Sequence, residues 1–211
     1  MSITKSIASV IAVMNIALPG IALAVDTIEF DRNGNGLPDV RFVPDMDSDQ
    51  SGMVIQFDND EDGEFDYGFL SGGAVHNDGE IFAMWIDKNS NGSVQKNEVK
   101  MLPGTLPWAT FPSWFSVTPV TDAKGGIDHF MDYTDDTFAD QVDRDPDGDG
   151  DTESHVLRAI GEGAADVLAL SDRNNDGYFD HLSFRPEIGD EVVIAFAKTL
   201  QRHLPVMHYP Q

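Results

Sequence analysis

Six segments of the chain carry side-chain oxygens at alternate positions of a short, turn-rich stretch. Asp31, Asn33, Asn35 and Asp39 take the first, third, fifth and ninth places of one, with Gly36 at the sixth. Asp58, Asp60, Asp62 and Asp66 repeat this around Gly63, and Asp172, Asn174, Asp176 and Asp180 repeat it around Gly177. Asp145, Asp147, Asp149 and Glu153 form a fourth copy around Gly150, which also fits a frame starting at Asp143. A fifth, Asp45-Met46-Asp47-Ser48-Asp49-Gln50-Ser51, has no Gly at its sixth place and reads equally as a ligand loop or as an Asx-rich turn. The sixth is longer: Asp87, Asn89 and Asn91, then Gly92, Ser93 and, at the twelfth place, Glu98. Such spacing suits a hard cation. Ca2+ takes six to eight oxygens at about 2.3–2.6 Å, so a short loop must turn several oxygens inward, and glycine permits the sharp bend. Mg2+ suits the pattern less well, since it demands six tight ligands and keeps its water. Without a cation, several carboxylates within a few ångströms repel and the loops should open.

Asp87 to Glu98 resembles an EF-hand loop. The nine-residue copies resemble the Asp-x-Asp-x-Asp-Gly-x-x-Asp loops of FG-GAP, thrombospondin type 3 and dockerin-like calcium repeats. The resemblance covers the loops alone and implies calcium binding. It further implies a backbone carbonyl ligand at the seventh residue (Ser93, Leu37, Glu64, Asp151 or Tyr178), and Glu98 binding through both oxygens. Asp39, Asp66, Glu153 and Asp180 would close the shorter loops. Asn89 and Asn91 lower the charge of the Asp87 loop, which should bind more weakly than the Asp58 loop.

Composition agrees with such a role. Thirteen Lys and Arg face 37 Asp and Glu, a formal charge of −24, which excludes a nucleic-acid binder held by phosphate contacts. The absence of cysteine excludes disulfides, thiolate zinc sites and cysteine nucleophiles. Thirteen Phe and three Trp supply enough apolar material for a folded core. Residues 1–24 carry Lys5, an apolar run interrupted by Asn15 and Pro19-Gly20, and Ala22-Leu23-Ala24, as in a cleaved signal peptide. That predicts a secreted or periplasmic protein with no membrane span once the signal is removed.

The elements holding these loops read differently in the two halves. Val40–Val43, Met53–Phe57 and Tyr67–Leu70 are rich in β-branched and aromatic residues and bounded by turns, so residues 25–102 read as a β-rich lobe, a β-meander with calcium at its turns. Ile81–Ile86 reads as a buried strand rather than an entering EF-hand helix, and Val94–Leu102 as a short helix. Residues 103–126 form a Pro- and aromatic-rich connection with Trp108, Phe111, Trp114 and Phe115, either a stacking platform for a glycan or peptide or a loop pinned to the core. Residues 127–211 read as a mixed helix and strand lobe with two calcium loops. Helix-compatible spacing runs over Ile127–Val142 and over Glu153–Leu170, and Glu191–Leu204 reads as a helix or a strand then a helix. The expected class is therefore α+β.

No zinc helix, nucleophile elbow or phosphate loop is present, and no catalytic residue is assigned. The leading expectation is an exported calcium-binding protein whose loops stabilise the fold, with a structural, adhesive or matrix role and an extracellular glycan or surface protein as partner. The alternative is a secreted, glycan-acting hydrolase with structural calcium, drawing on Asp128, Asp132, Asp135, Asp136 and His129. A calcium sensor would need helices on both sides of the Asp87 loop.

Overall fold

The computed structural model describes residues 27–44, 53–72, 80–107, 114–158, 166–184, 192–195 and 203–210. The signal-peptide stretch, the Asp45 loop, Trp108 and Phe111 lie outside them.

Among the described residues thirteen strands form two antiparallel meanders. The first sheet runs in chain order through β1 (Ile28–Phe30), β2 (Val40–Pro44), β3 (Met53–Phe57), β4 (Tyr67–Ser71), β5 (Glu80–Ile86) and β6 (Val99–Pro107). The second holds β7 (Ser116–Thr121), β8 (Ile127–Asp132), β9 (Gln141–Asp145), β10 (Ser154–Arg158), β11 (Asp166–Ser171), β12 (His181–Phe184) and β13 (Val192–Ala195). In-register pairing lines up Phe42, Ile55, Phe69 and Met84 across the first sheet, beside Val40, Phe57, Tyr67 and Ile86. Both rows pack into one buried cluster with Met131, Leu157, Leu168 and Leu170 of the second sheet. Aromatic contacts join the sheets: Phe30 and Phe42 meet Tyr133, and Phe57 meets His155 at 4.8 Å between ring centroids. Phe115 is pinned in this layer, stacked on Tyr133, whereas Trp114 stands exposed.

The described residues hold no helix and are all-β, which overturns the α+β expectation. Ile127–Val142 is β8, a loop and the start of β9. Glu153–Leu170 contributes β10 and most of β11, with 159–165 outside the described residues. Val94–Leu102 is a turn leading into β6, and the described part of Glu191–Leu204 adds the strand β13. The physical reason lies in two-sided burial. β10 buries His155, Val156 and Leu157 in succession, and β11 buries Val167, Leu168 and Leu170. Strands covered on both faces lose the period-two alternation, and their adjacent apolar pairs mimic one face of a helix.

A meander puts alternate hairpin turns at the same end of a sheet. The Asp31, Asp58 and Asp87 loops join β1–β2, β3–β4 and β5–β6, and therefore share one end of the first sheet. The Asp145 and Asp172 loops join β9–β10 and β11–β12 and share one end of the second. Main-chain bonds stitch neighbours together: Asp58 N–H donates to Asp39 O, Asp87 N–H to Asp66 O, and Asp172 N–H to Glu153 O.

Candidate metal centre

Each loop is built by its own first carboxylate. Asp31, Asp58, Asp87, Asp145 and Asp172 all accept a hydrogen bond from the amide of the sixth residue, Gly36, Gly63, Gly92, Gly150 and Gly177. Those glycines lie at φ between 63° and 101°, the left-handed region where a Cβ is disfavoured. The fifth side chain accepts from the seventh amide, as Asp62 does from Glu64 and Asn91 from Ser93. The closing carboxylate turns back to the start: Asp39 accepts from Arg32 N–H, Asp66 from Asn59 N–H and Asp180 from Arg173 N–H. In the longer loop Glu98 does this from the twelfth place, accepting from Lys88 N–H and from the Asn89 side chain. Strands flank that loop on both sides.

A further loop of the same geometry escaped the sequence reading. Asp132, Thr134, Asp136 and Asp140 fill the first, third, fifth and ninth places between β8 and β9, at the opposite end of the second sheet. Asp132 accepts from Thr137 N–H, Asp136 from Phe138 N–H and Asp140 from Tyr133 N–H, matching the other loops bond for bond. Thr137 takes the glycine position at φ 76°. The triad of Asp residues was the available signal; Thr at the third and sixth places hid it.

The loops differ in how far their oxygens converge. Asp145, Asp147, Asp149 and Glu153 each offer an oxygen within 4.8 Å of all the others, and so do Asp58, Asp60 and Asp66. Asp62 is exposed, and its charge acts on Asp58 and Asp60. Asn33 and Asn35 donate their amide groups to Glu61 of the neighbouring loop, which leaves their oxygens to face their own loop: Asn33 Oδ1 accepts from Asn35 N–H and Asn35 Oδ1 from Leu37 N–H. Asp143, the alternative start of the fourth loop, belongs elsewhere. It is fully buried between the sheets, bonded to His155, Gln141 and Tyr209 and paired with Arg32, so the loop begins at Asp145.

The electrostatics of the converging groups are unbalanced. Both carboxylate oxygens of Glu153 are shielded from solvent with no partner outside their own residue, and Oδ1 of Asp39 is buried without one. Burial, together with the charges of Asp147, Asp145 and Asp149, pushes Glu153 up to about 7. Burial likewise raises Asp66 to about 8 and Asp58 to about 6, with neighbouring carboxylates adding to both. Asp140 rises to about 6 for the same reason. An oxygen set of this kind holds either protons or a hard cation.

Of the residues considered for hydrolysis, Asp128, His129 and Asp132 lie on β8. Asp132 also opens the β8–β9 loop, which holds Asp135 and Asp136, while His129 lies stacked against Tyr209 at 3.6 Å between ring centroids. Among the described residues no helix is long and apolar enough to cross a membrane. Comparison of the chain with protein-family models, with curated proteins and with solved structures found no match.

Proposed function

We propose that this is an exported calcium-binding protein whose hairpin loops take up Ca2+ and whose bound ions hold the two sheets' loop ends in shape, in a structural, adhesive or matrix role. The observation that carries the reading is the Asp145 loop. Four carboxylates from nine consecutive residues converge there, and Glu153 has both oxygens shielded from solvent with no partner outside its own residue. Burying ionised oxygens without a partner is costly, and a divalent cation removes that cost at once. Asp145, Asp147, Asp149 and Glu153 would hold one ion, with Asp58, Asp60 and Asp66 holding another. The Asp31, Asp87 and Asp172 loops share the same backbone frame with fewer charges. Oxygen ligands alone, in a loop that closes over nine to twelve residues, favour calcium over softer metals.

Calorimetric titration of the protein with Ca2+, paired with thermal melting before and after metal removal, tests this. Extracellular modules bind with dissociation constants of about 10⁻⁴–10⁻³ M. At ten times that constant each filled site adds about 1.4 kcal/mol, which for a chain of this size raises the melting temperature by about 3–6 °C. Several filled sites should therefore move the melt by about 10 °C or more. No binding heat and an unchanged melt would reject the reading.

A further inference from the structure

The C-terminal segment Leu204–Tyr209 threads between loops of both sheets. It meets the Asp145 and Asp172 loops in the same way. Tyr209 N–H donates to Gly150 O and Thr152 N–H to Met207 O; Val206 N–H donates to Gly177 O and Phe179 N–H to Leu204 O. In each loop, then, the sixth carbonyl and the eighth amide bond the segment, and the seventh residue is its bridge partner, Asp151 with His208 and Tyr178 with Pro205. On the first sheet's side, Asn59 Nδ2 donates to Pro205 O at 2.7 Å and Asn33 Nδ2 to His208 O at 3.3 Å. Leu204, Val206, Met207 and Tyr209 are buried beneath these bonds.

We infer that this segment is a calcium-dependent latch: filling the loops docks Leu204–Tyr209 across both sheets, and emptying them releases it. The inference rests on the calcium reading above. Its physical basis is the alternation of peptide groups along an extended backbone. Where the sixth and eighth residues face the segment, the seventh faces the loop interior, as Asp151 N–H and Tyr178 N–H do in donating to Asp149 and Asp176. A cation drawing the loop's oxygens inward fixes the seventh peptide, and with it the outward aim of the sixth and eighth. An empty loop whose carboxylates repel loses that aim, and the segment loses its two main-chain bonds to that loop, four when both the Asp145 and Asp172 loops empty. Because the segment touches four loops, it also couples them: an ion in the Asp145 loop favours the docked state that steadies the Asp31, Asp58 and Asp172 loops.

Hydrogen exchange of the full-length protein, with millimolar Ca2+ and after chelation, tests the latch, with calorimetry on the same sample recording uptake. The amides of Val206 and Tyr209 should exchange about tenfold faster or more after chelation, while Ile55 of β3 stays protected, as expected for sub-global opening. Asp149→Ala should reproduce the loosening at Tyr209 in the presence of Ca2+. Tyr209→Phe, which leaves every loop residue in place, should weaken calcium binding about fivefold, because coupling is reciprocal. Measured uptake with unchanged exchange at Val206 and Tyr209 would overturn the latch and leave the calcium reading standing. Exchange at Ile55 rising in step with the latch would also overturn it, as unfolding of the whole. Absence of uptake would bring down both.

Discussion

Arg32 and Asp143, 111 positions apart in the chain, meet in the closed layer between the two sheets, with Nη1 3.4 Å from Oδ2 and neither side chain reaching solvent. Arg32 also donates to Asn59 Oδ1, while His155, Gln141 and Tyr209 complete the shell of Asp143. Burial alone would raise the Asp143 carboxyl, but the attraction of His155 and Arg32 and the hydrogen bonds around it bring it down to about 2. The pair therefore locks the Asp31 loop of one sheet to β9 of the other. Removing one partner leaves the other charge buried and uncompensated. Arg32→Met should cost about 3–5 kcal/mol and Asp143→Asn a similar amount, with the double variant losing less than the sum. Urea unfolding at saturating Ca2+ measures all three. Strict additivity would mean that the two side chains are not coupled.

The loop acids dictate an unusual pH dependence. Glu153, Asp66 and Asp58 have pKa values raised on folding to about 7, 8 and 6, by burial and by each loop's other carboxylates. An acid whose pKa is raised binds its proton more tightly in the folded chain. Its contribution favours folding at low pH and is lost as pH rises from the unfolded value near 4 through the folded value. On the function proposed above, calcium would compete with protons for the same oxygens, and its stabilisation would grow over the same range. Metal-stripped protein should therefore melt higher at about pH 5 than at about pH 8, and calcium-loaded protein should show the reverse order. Scanning calorimetry across this range checks both. A metal-free melt that rises with pH would contradict the raised pKa values.

Much of the loop frame was legible as spacing because a turn built by its own first carboxylate is local. The oxygens and the glycine must fall within nine to twelve residues, and Asp145 to Glu153 displays the whole frame in sequence. The pairing of Leu204–Tyr209 with the loops and the Arg32–Asp143 pair are not local. Arg32 at the second place of a loop looks like any solvated side chain, and no spacing reveals a partner 111 residues away. Leu204–Tyr209 is too short for a pattern, since its role comes from pairing with loops at Gly150 and Gly177. Val40–Val43 showed as a strand through its β-branched and aromatic content between turns, whereas the adjacent buried residues of β10 and β11 fall at helix-compatible spacing, and helices were expected where β8 to β11 stand.

The β8–β9 loop offers a test of the shared backbone frame. Thr137 sits at φ 76° where the other loops carry glycine. A β-branched residue in the left-handed region is strained by about 1–3 kcal/mol. Glycine relieves that strain but costs about 0.5–1 kcal/mol in unfolded-chain entropy. Thr137→Gly should therefore stabilise the protein by about 1 kcal/mol, the balance of the two. Gly63 is the mirror case: at φ 88° a Cβ would meet nothing within 4 Å, so Gly63→Ala isolates the backbone term and should destabilise by about 1 kcal/mol. Opposite signs in denaturant unfolding, measured with millimolar Ca2+ present throughout, would establish that the Asp132 and Asp58 loops need the same left-handed turn. A Thr137→Gly variant less stable than its parent would mean that the threonine side chain holds the loop by contacts that outweigh its strain.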